Sequence, residues 1–358
     1  MRIEKEEVEK YLDRIRGYTQ DLVVYDSHVH PQEVFFGDGG TPPIGANGQA
    51  VPQTGAVVEV NEEKCGENEG CRFRHAAQLL NLKRCYRNFS PEHFLNHMNL
   101  AGVNASLLLP VAPASGEMKT GMESLSRLYG EKERFILGCS VPNTVETDKV
   151  DEFLSRMRSE HGARAVKLHP NITEIDPSQS RGRERVEAIL DGCRRIGLPL
   201  VVHGGRSNVL RNLDARAYGS ISNLASIPWS RSNNPVVIAH AGAYDCTLSE
   251  VEEKILPVLG RLLSQHSNLL LDFSGLECVV QTAILSKLGP GRIIFGSDAL
   301  YSAPWRETVK LVYSLEKSGC DPEEGYRMIG GKNSEQYLFK KGIIQHASES
   351  VRTCVSGS

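Results

Sequence analysis

Eight short apolar runs punctuate the chain, at 22–26 (LVVYD), 104–109 (NASLLL), 134–139 (RFILGC), 163–168 (ARAVKL), 198–203 (LPLVVH), 235–240 (PVVIAH), 268–273 (NLLLDF) and 291–296 (GRIIFG). Each is nearly continuous rather than alternating, which is how strands buried on both faces read. Segments with helical periodicity lie between them, at 91–101, 118–130, 146–160, 182–196, 246–264, 278–288 and 304–318. Ser90-Pro91-Glu92 places a hydroxyl at a helix N-cap and a proline at the first helical position. Strand–helix alternation at this spacing predicts a parallel sheet with right-handed crossovers. Eight such units predict an α/β fold, the closed (β/α)8 or TIM barrel. The competing architecture is a doubly wound open sheet.

One connection breaks the rhythm. Residues 31–89 separate the first strand from its helix, whereas most such loops have about 2–6 residues. The first part, GDGGTPPIGANGQAVPQTG, is rich in Gly and Pro and reads as irregular; 71–86 reads as a helix. Because the insertion leaves from the C-terminal end of a strand, it is expected to form a lid or pocket wall. The chain is therefore read as a single domain over 1–345 with this insertion at 31–89, followed by a tail at 346–358. YRMIGGKNSEQYLFKKG reads as closing helices.

Composition narrows the class. The 358 residues are 40% hydrophobic and 24% charged, as in ordinary globular proteins. A formal net charge of −3 argues against a nucleic-acid surface, which needs clustered Lys and Arg. No apolar run approaches the roughly 20 residues of a membrane helix. The charged N-terminus, MRIEKEEVEKYLDRIRGY, lacks the apolar stretch of a signal peptide, so the cytoplasm is the expected location. Nine cysteines, scattered and odd in number, suit reduced thiols rather than a disulfide framework.

The chemistry sits at the ends of the predicted strands. Asp26, His28 and His30 lie in VVYDSHVHP, Lys167 in RAVKLHP, His203 in LPLVVHGG, His240 in PVVIAHAG and Asp298 in RIIFGSDA. A β/α barrel assembles its active site from this rim. Residues two apart on a strand share a face, so Asp26, His28 and His30 are expected to point inward together, with Asp26 either at the site or bracing it from behind. Buried imidazoles and carboxylates are costly unless paired or bound to metal. Several strands delivering them to one rim therefore point to a shared divalent cation. His and Asp donors suit zinc, and manganese or iron as well.

DSHVH, Lys167, VVHGG, IAHAG and GSDA, in that order over residues 22–300, resemble the amidohydrolase superfamily of metal-dependent hydrolases. The closing GGKNSEQYLF resembles the final helix of the amidohydrolase-2 branch, which includes aminocarboxymuconate-semialdehyde decarboxylase-like enzymes. The resemblance implies that His28, His30, His203 and Asp298 bind the metal, usually zinc. It gives His240 either a second metal or an acid/base role, so one or two ions are expected. It gives Lys167 the place of the carboxylated lysine that bridges two metals in binuclear members. Carboxylation needs a neutral amine, which burial favours. A lysine held against a carboxylate, or one binding a substrate anion, is the other reading. Asp298 and His240 are the expected catalytic pair. Asp298 would ligate the ion and take a proton from the water that the ion activates.

Arg206, following HGG, and His169, two residues beyond Lys167, are candidate contacts to a small-molecule substrate. Tyr244 and Trp305 follow strand ends and read as pocket or packing residues. Cys65, Cys71, His75 and Cys85 could wrap a structural zinc within the insertion, with scattered free thiols as the alternative. The expected activity is metal-dependent hydrolysis of an amide, ester, lactone or related bond. A mononuclear decarboxylase or other lyase on the same barrel is the alternative. Barrels of this kind often associate, so a homo-oligomer is compatible with the reading.

Overall fold

The computed structural model describes residues 2–30, 58–60, 91–114, 122–130, 133–207, 212–299 and 301–339. Among them, eight parallel strands form one sheet in chain order. They are β1 (Tyr25–Val29), β2 (Ala105–Leu108), β3 (Phe135–Ser140), β4 (Ala165–Leu168), β5 (Leu200–Val202), β6 (Val236–Ile238), β7 (Leu269–Asp272) and β8 (Ile293–Ile294). The two edge strands meet. Ser27 N–H donates to Phe295 O at 2.9 Å, Asp298 N–H to His28 O at 2.9 Å, and His30 N–H to Ala299 O at 2.6 Å. The sheet thus curls into the (β/α)8 barrel that the apolar runs predict, and the open-sheet alternative falls away.

Two apolar layers hold it. The inner layer takes Tyr25, Leu107, Ile136, Ala165, Val201, Val237, Leu270 and Ile294 from successive strands, with Leu338 and Phe339 packed among them. The Tyr25 and Phe339 rings stack at 4.1 Å. The outer layer joins the strands to the helices α1 (Lys5–Tyr18), α2 (Pro91–Ala101), α3 (Met122–Tyr129), α4 (Val150–His161), α5 (Ser180–Ile196), α6 (Leu256–Gln265), α7 (Cys278–Leu288) and α8 (Pro304–Ser318). Val186, Ile189, Leu190 and Cys193 of α5 recur at helical spacing and are buried, as are Val150, Leu154 and Met157 of α4. That stripe explains why both segments are helices and which face each turns inward.

The first strand differs from its sequence reading. It runs over 25–29 rather than 22–26. Val24 N–H is taken by the Asn104 side chain at 2.7 Å, and Leu22 N–H by Thr19 O, so pairing in β1 starts later. DSHV therefore lies inside the strand. A register shift between Asp26 and Val29 breaks the alternation there. Tyr25 joins the inner layer, while the Asp26 carboxylate accepts from Ser297 N–H at 2.8 Å and Ser297 Oγ–H at 2.6 Å. Of the two places expected for Asp26, the structure gives the one behind the site: it alternates with inward-facing Tyr25, and its carboxylate at the β1–β8 seam braces the turn that carries Asp298.

Of the long insertion, Val58–Glu59 pairs antiparallel with Arg2–Ile3, and Val58 and Val60 are buried in the outer layer. The expected helix at 71–86, the set Cys65, Cys71, His75 and Cys85, the rest of the lid and the tail at 346–358 lie outside the described residues. The described cysteines, Cys139, Cys193, Cys246, Cys278 and Cys320, are all free thiols. No helix among the described residues is long and apolar enough to cross a membrane.

Candidate metal centre

His28, His240 and Asp298 each place a ligand atom within 4.8 Å of the others, and all three are buried. His30 joins them. Its Nε2 lies 3.3 Å from His28 Nε2 and 3.3 Å from Asp298 Oδ1, with His28 Nε2 and Asp298 Oδ1 at 3.9 Å. These atoms come from β1, the end of β6 and the turn after β8, so the C-terminal mouth of the barrel brings them together.

The hydrogen bonds behind the rings fix what faces the centre. His30 Nδ1 lies 2.8 Å from Leu109 O and so carries the proton. His28 Nδ1 lies 3.0 Å from Asp272 Oδ2, and His240 Nδ1 lies 2.7 Å from Ser274 O. A neutral imidazole protonated at Nδ1 has its lone pair at Nε2. His28 and His30 thus direct two lone pairs at each other, with a carboxylate oxygen beside them. Imidazole nitrogens and a carboxylate oxygen gathered in this way are the donor set a divalent cation takes.

Burial holds the His28, His169, His203 and His240 imidazoles well below the usual histidine range, with neighbouring positive groups adding to the effect. They are therefore neutral, as ligands must be. Burial pushes the Asp298 carboxyl up. The closeness of His30, His28 and Lys167 outweighs that push and leaves Asp298 below the ordinary carboxylate range. Lys167, on β4, is 1% exposed, and its Nζ lies 2.8 Å from His28 Nε2. Burial lowers its amine to about 8 against the pull of Asp272 and Asp298.

His203, at the end of β5, stands beside this group. Its ring stacks on His169 at 3.9 Å and meets His240 edge-on at 4.8 Å. Its Nε2 donates to Arg206 O at 3.1 Å, which leaves Nδ1 as its acceptor nitrogen. His169 Nδ1 accepts from Ile172 N–H at 3.3 Å. The Arg206 guanidinium forms a two-pronged pair with Glu250, at 2.9 and 2.5 Å, and also donates to Asp245 O. Arg206 therefore touches His203 through its backbone, while its side chain grips a carboxylate of the protein itself. Tyr244 packs its ring on His203 and His240, and Trp305 is buried in α8.

Two residues that sequence reasoning missed complete the centre. Asp272 ends β7 and Ser274 follows it. The Ser274 hydroxyl lies 2.9 Å from His28 Nδ1 and 3.0 Å from His240 Nδ1. The signal was present, since LLLDFS obeys the same rule of a polar residue at a strand end. The backbone is strained here as well. His240 and Asp298 sit at φ 55°, a left-handed conformation that costs a non-glycine residue about 1–3 kcal/mol and recurs at functional sites. A separate groove of about 910 Å³ between α6, α7 and α8, lined in part by Val60, Leu256, Val279 and Tyr313, shares no residue with the centre.

Solved structures share the barrel. An amidohydrolase from Burkholderia multivorans with bound HEPES aligns over 88% of this chain and 98% of its own, with a TM-score of 0.54 at 14% identity. Its crystal form with bound zinc aligns over the same shares, with a TM-score of 0.51 at 15% identity. A 2,6-dihydroxybenzoate decarboxylase complexed with 2,6-dihydroxybenzoate aligns over 88% and 98%, with a TM-score of 0.50 at 10% identity. At such identities the likeness speaks for the fold. No curated protein sequence matches the chain. The amidohydrolase family model matches residues 130–338, more than half of the sequence and five of the strands that carry the centre. On that match, joined to the barrel and its cluster of imidazoles and carboxylates, the chain belongs to the amidohydrolase family and is a metal-dependent enzyme of that superfamily.

Proposed function

We propose that this enzyme is a decarboxylase-type lyase acting on a small carboxylate substrate. In this reading one divalent ion, zinc by preference, is held by His28, His30, His203 and Asp298. The observation that carries it is the single seat made by the facing His28 and His30 Nε2 atoms and Asp298 Oδ1. When bound, the ion stabilises negative charge that develops on a substrate oxygen. Lys167 offers a buried amine beside the seat, where it can receive a carboxylate group. His240 keeps its Nδ1 proton on Ser274 O, so Nε2 is the nitrogen free to take up and return a proton. Decarboxylation needs such a group, because the carbon that loses carbon dioxide must gain a proton. The decarboxylase among the structural neighbours performs this reaction class on the same barrel.

Hydrolysis is the second reading, and Lys167 is the observation that favours it. An amine lowered to about 8 is partly neutral near neutral pH and able to take up carbon dioxide. The resulting anion would bridge two ions, with His240 as a ligand of the second. A screen of aromatic and unsaturated carboxylates beside esters, lactones and amides separates the two. The lyase reading expects metal-dependent carbon dioxide release, about one ion per chain and an unmodified Lys167. Hydrolytic products, with two ions and a carboxylated Lys167, would replace it by the second reading.

A further inference from the structure

We propose that Asp272 is a positioning residue that dictates the tautomer of His28 and so keeps the Nε2 lone pair aimed at the cation seat. The proposal rests on the metal reading above for its consequence, although its geometry stands alone. Asp272 Oδ1 accepts from His240 N–H at 2.9 Å, from Ser274 N–H at 3.0 Å and from the Ser274 hydroxyl. Backbone N–H groups can only donate, so Oδ1 must be an acceptor. The other oxygen, Oδ2, faces His28 Nδ1 at 3.0 Å with both side chains fully buried. Only a carboxylate offers acceptors on both sides at once. An acceptor at Oδ2 obliges His28 to carry its proton on Nδ1, which leaves the lone pair on Nε2, the atom 3.3 Å from His30 Nε2. The Ser274 Oγ proton is spent on Asp272, so that oxygen also accepts from Nδ1 at 2.9 Å.

The consequence is specific to one substitution. Asp272→Asn keeps the shape but supplies only one acceptor. The carboxamide oxygen must turn to the three donors around Oδ1, so the NH2 group meets His28 Nδ1. His28 is then pressed to accept there and to carry its proton on Nε2, where a metal needs a lone pair, against Lys167 Nζ, which lies 2.8 Å from that nitrogen. His240 is spared, because its Nδ1 is held by the Ser274 carbonyl at 2.7 Å.

The test is ¹⁵N NMR of the imidazole rings in the metal-free full-length protein, beside zinc titration of wild type and Asp272→Asn. The expected result is His28 protonated at Nδ1 in wild type and at Nε2 in Asp272→Asn, with zinc affinity lower by about 10–100-fold and the His240 signals unchanged. A variant that keeps the Nδ1 proton and binds zinc like wild type overturns the proposal. So does a wild-type His28 protonated at Nε2, which needs no variant to fold. A wild-type protein that takes up no zinc, yet shows the tautomer change, would sink the metal reading and leave the role of Asp272 standing.

Discussion

Asp298 shows how much one residue is asked to do. It holds a left-handed backbone turn, offers Oδ1 to the seat beside His30 and keeps its carboxyl ionised. Asparagine tolerates the same backbone, so Asp298→Asn should fold normally. Turnover should drop by roughly 10²–10⁴ through loss of the charge and of a proton acceptor. Steady-state kinetics beside circular dichroism would show it, and undiminished turnover would remove Asp298 from the chemistry. Gly296 sets a tighter constraint. A methyl group there would lie 2.8 Å from His28 Cβ, so Gly296→Ala should push His28 off the seat and destabilise by about 1–3 kcal/mol. Denaturant unfolding and zinc affinity measure the two effects. Wild-type values for both would mean that the strand shifts freely. At this scale the histidines were legible because H-x-H and histidines at strand ends announce themselves. Asp272 carried the same strand-end signal, but its role as a partner of His28 Nδ1 was not legible until the fold brought the two together.

Secondary structure was largely legible because apolar runs and helical periodicity are local properties. The exceptions have local causes that only pairing exposes. The segment 246–264 reads as one helix, yet it forms Leu248–Glu250, a wide turn over Val251–Ile255 and then α6. Pro257 cannot donate to the helical ladder, and Leu256 N–H reaches back five residues to Val251 O. That turn is anchored by Glu250, which caps Thr247 and grips Arg206 on the loop after β5. The hydrogen bonds from Arg206 hold the Glu250 carboxyl down at about 2, against burial, which raises it. Its folded value lies below the unfolded value near 4.3. The stabilisation is therefore complete above the unfolded value and is lost as pH falls toward 2. Thermal unfolding at pH 5 and pH 3 should show wild type losing more stability than Glu250→Gln. Equal losses would mean that the pair contributes nothing.

For the molecule as a whole, the parallel order of the strands and the rim placement of the centre follow from the βα rhythm, which is why the architecture could be read from sequence. The bulge in β1 could not, since nothing in YDSHV marks the register shift between Asp26 and Val29. The lower end of the barrel is closed by Phe339 on Tyr25. Phe339→Ala should cost about 3–5 kcal/mol and lower the urea midpoint, while the metal seat at the other end keeps its donors. A midpoint unchanged from wild type would show that the plug is dispensable.

Imidazoles from separate strands and one carboxylate are proposed to share a cation. Zinc titrated into metal-free protein by calorimetry, followed by a crystal structure with anomalous scattering at the zinc edge, tests it most directly. About one ion per chain is expected, bonded to His28, His30, His203 and Asp298, and lost with His28→Asn. An ion bound elsewhere, or no uptake at all by folded wild-type protein, would contradict it.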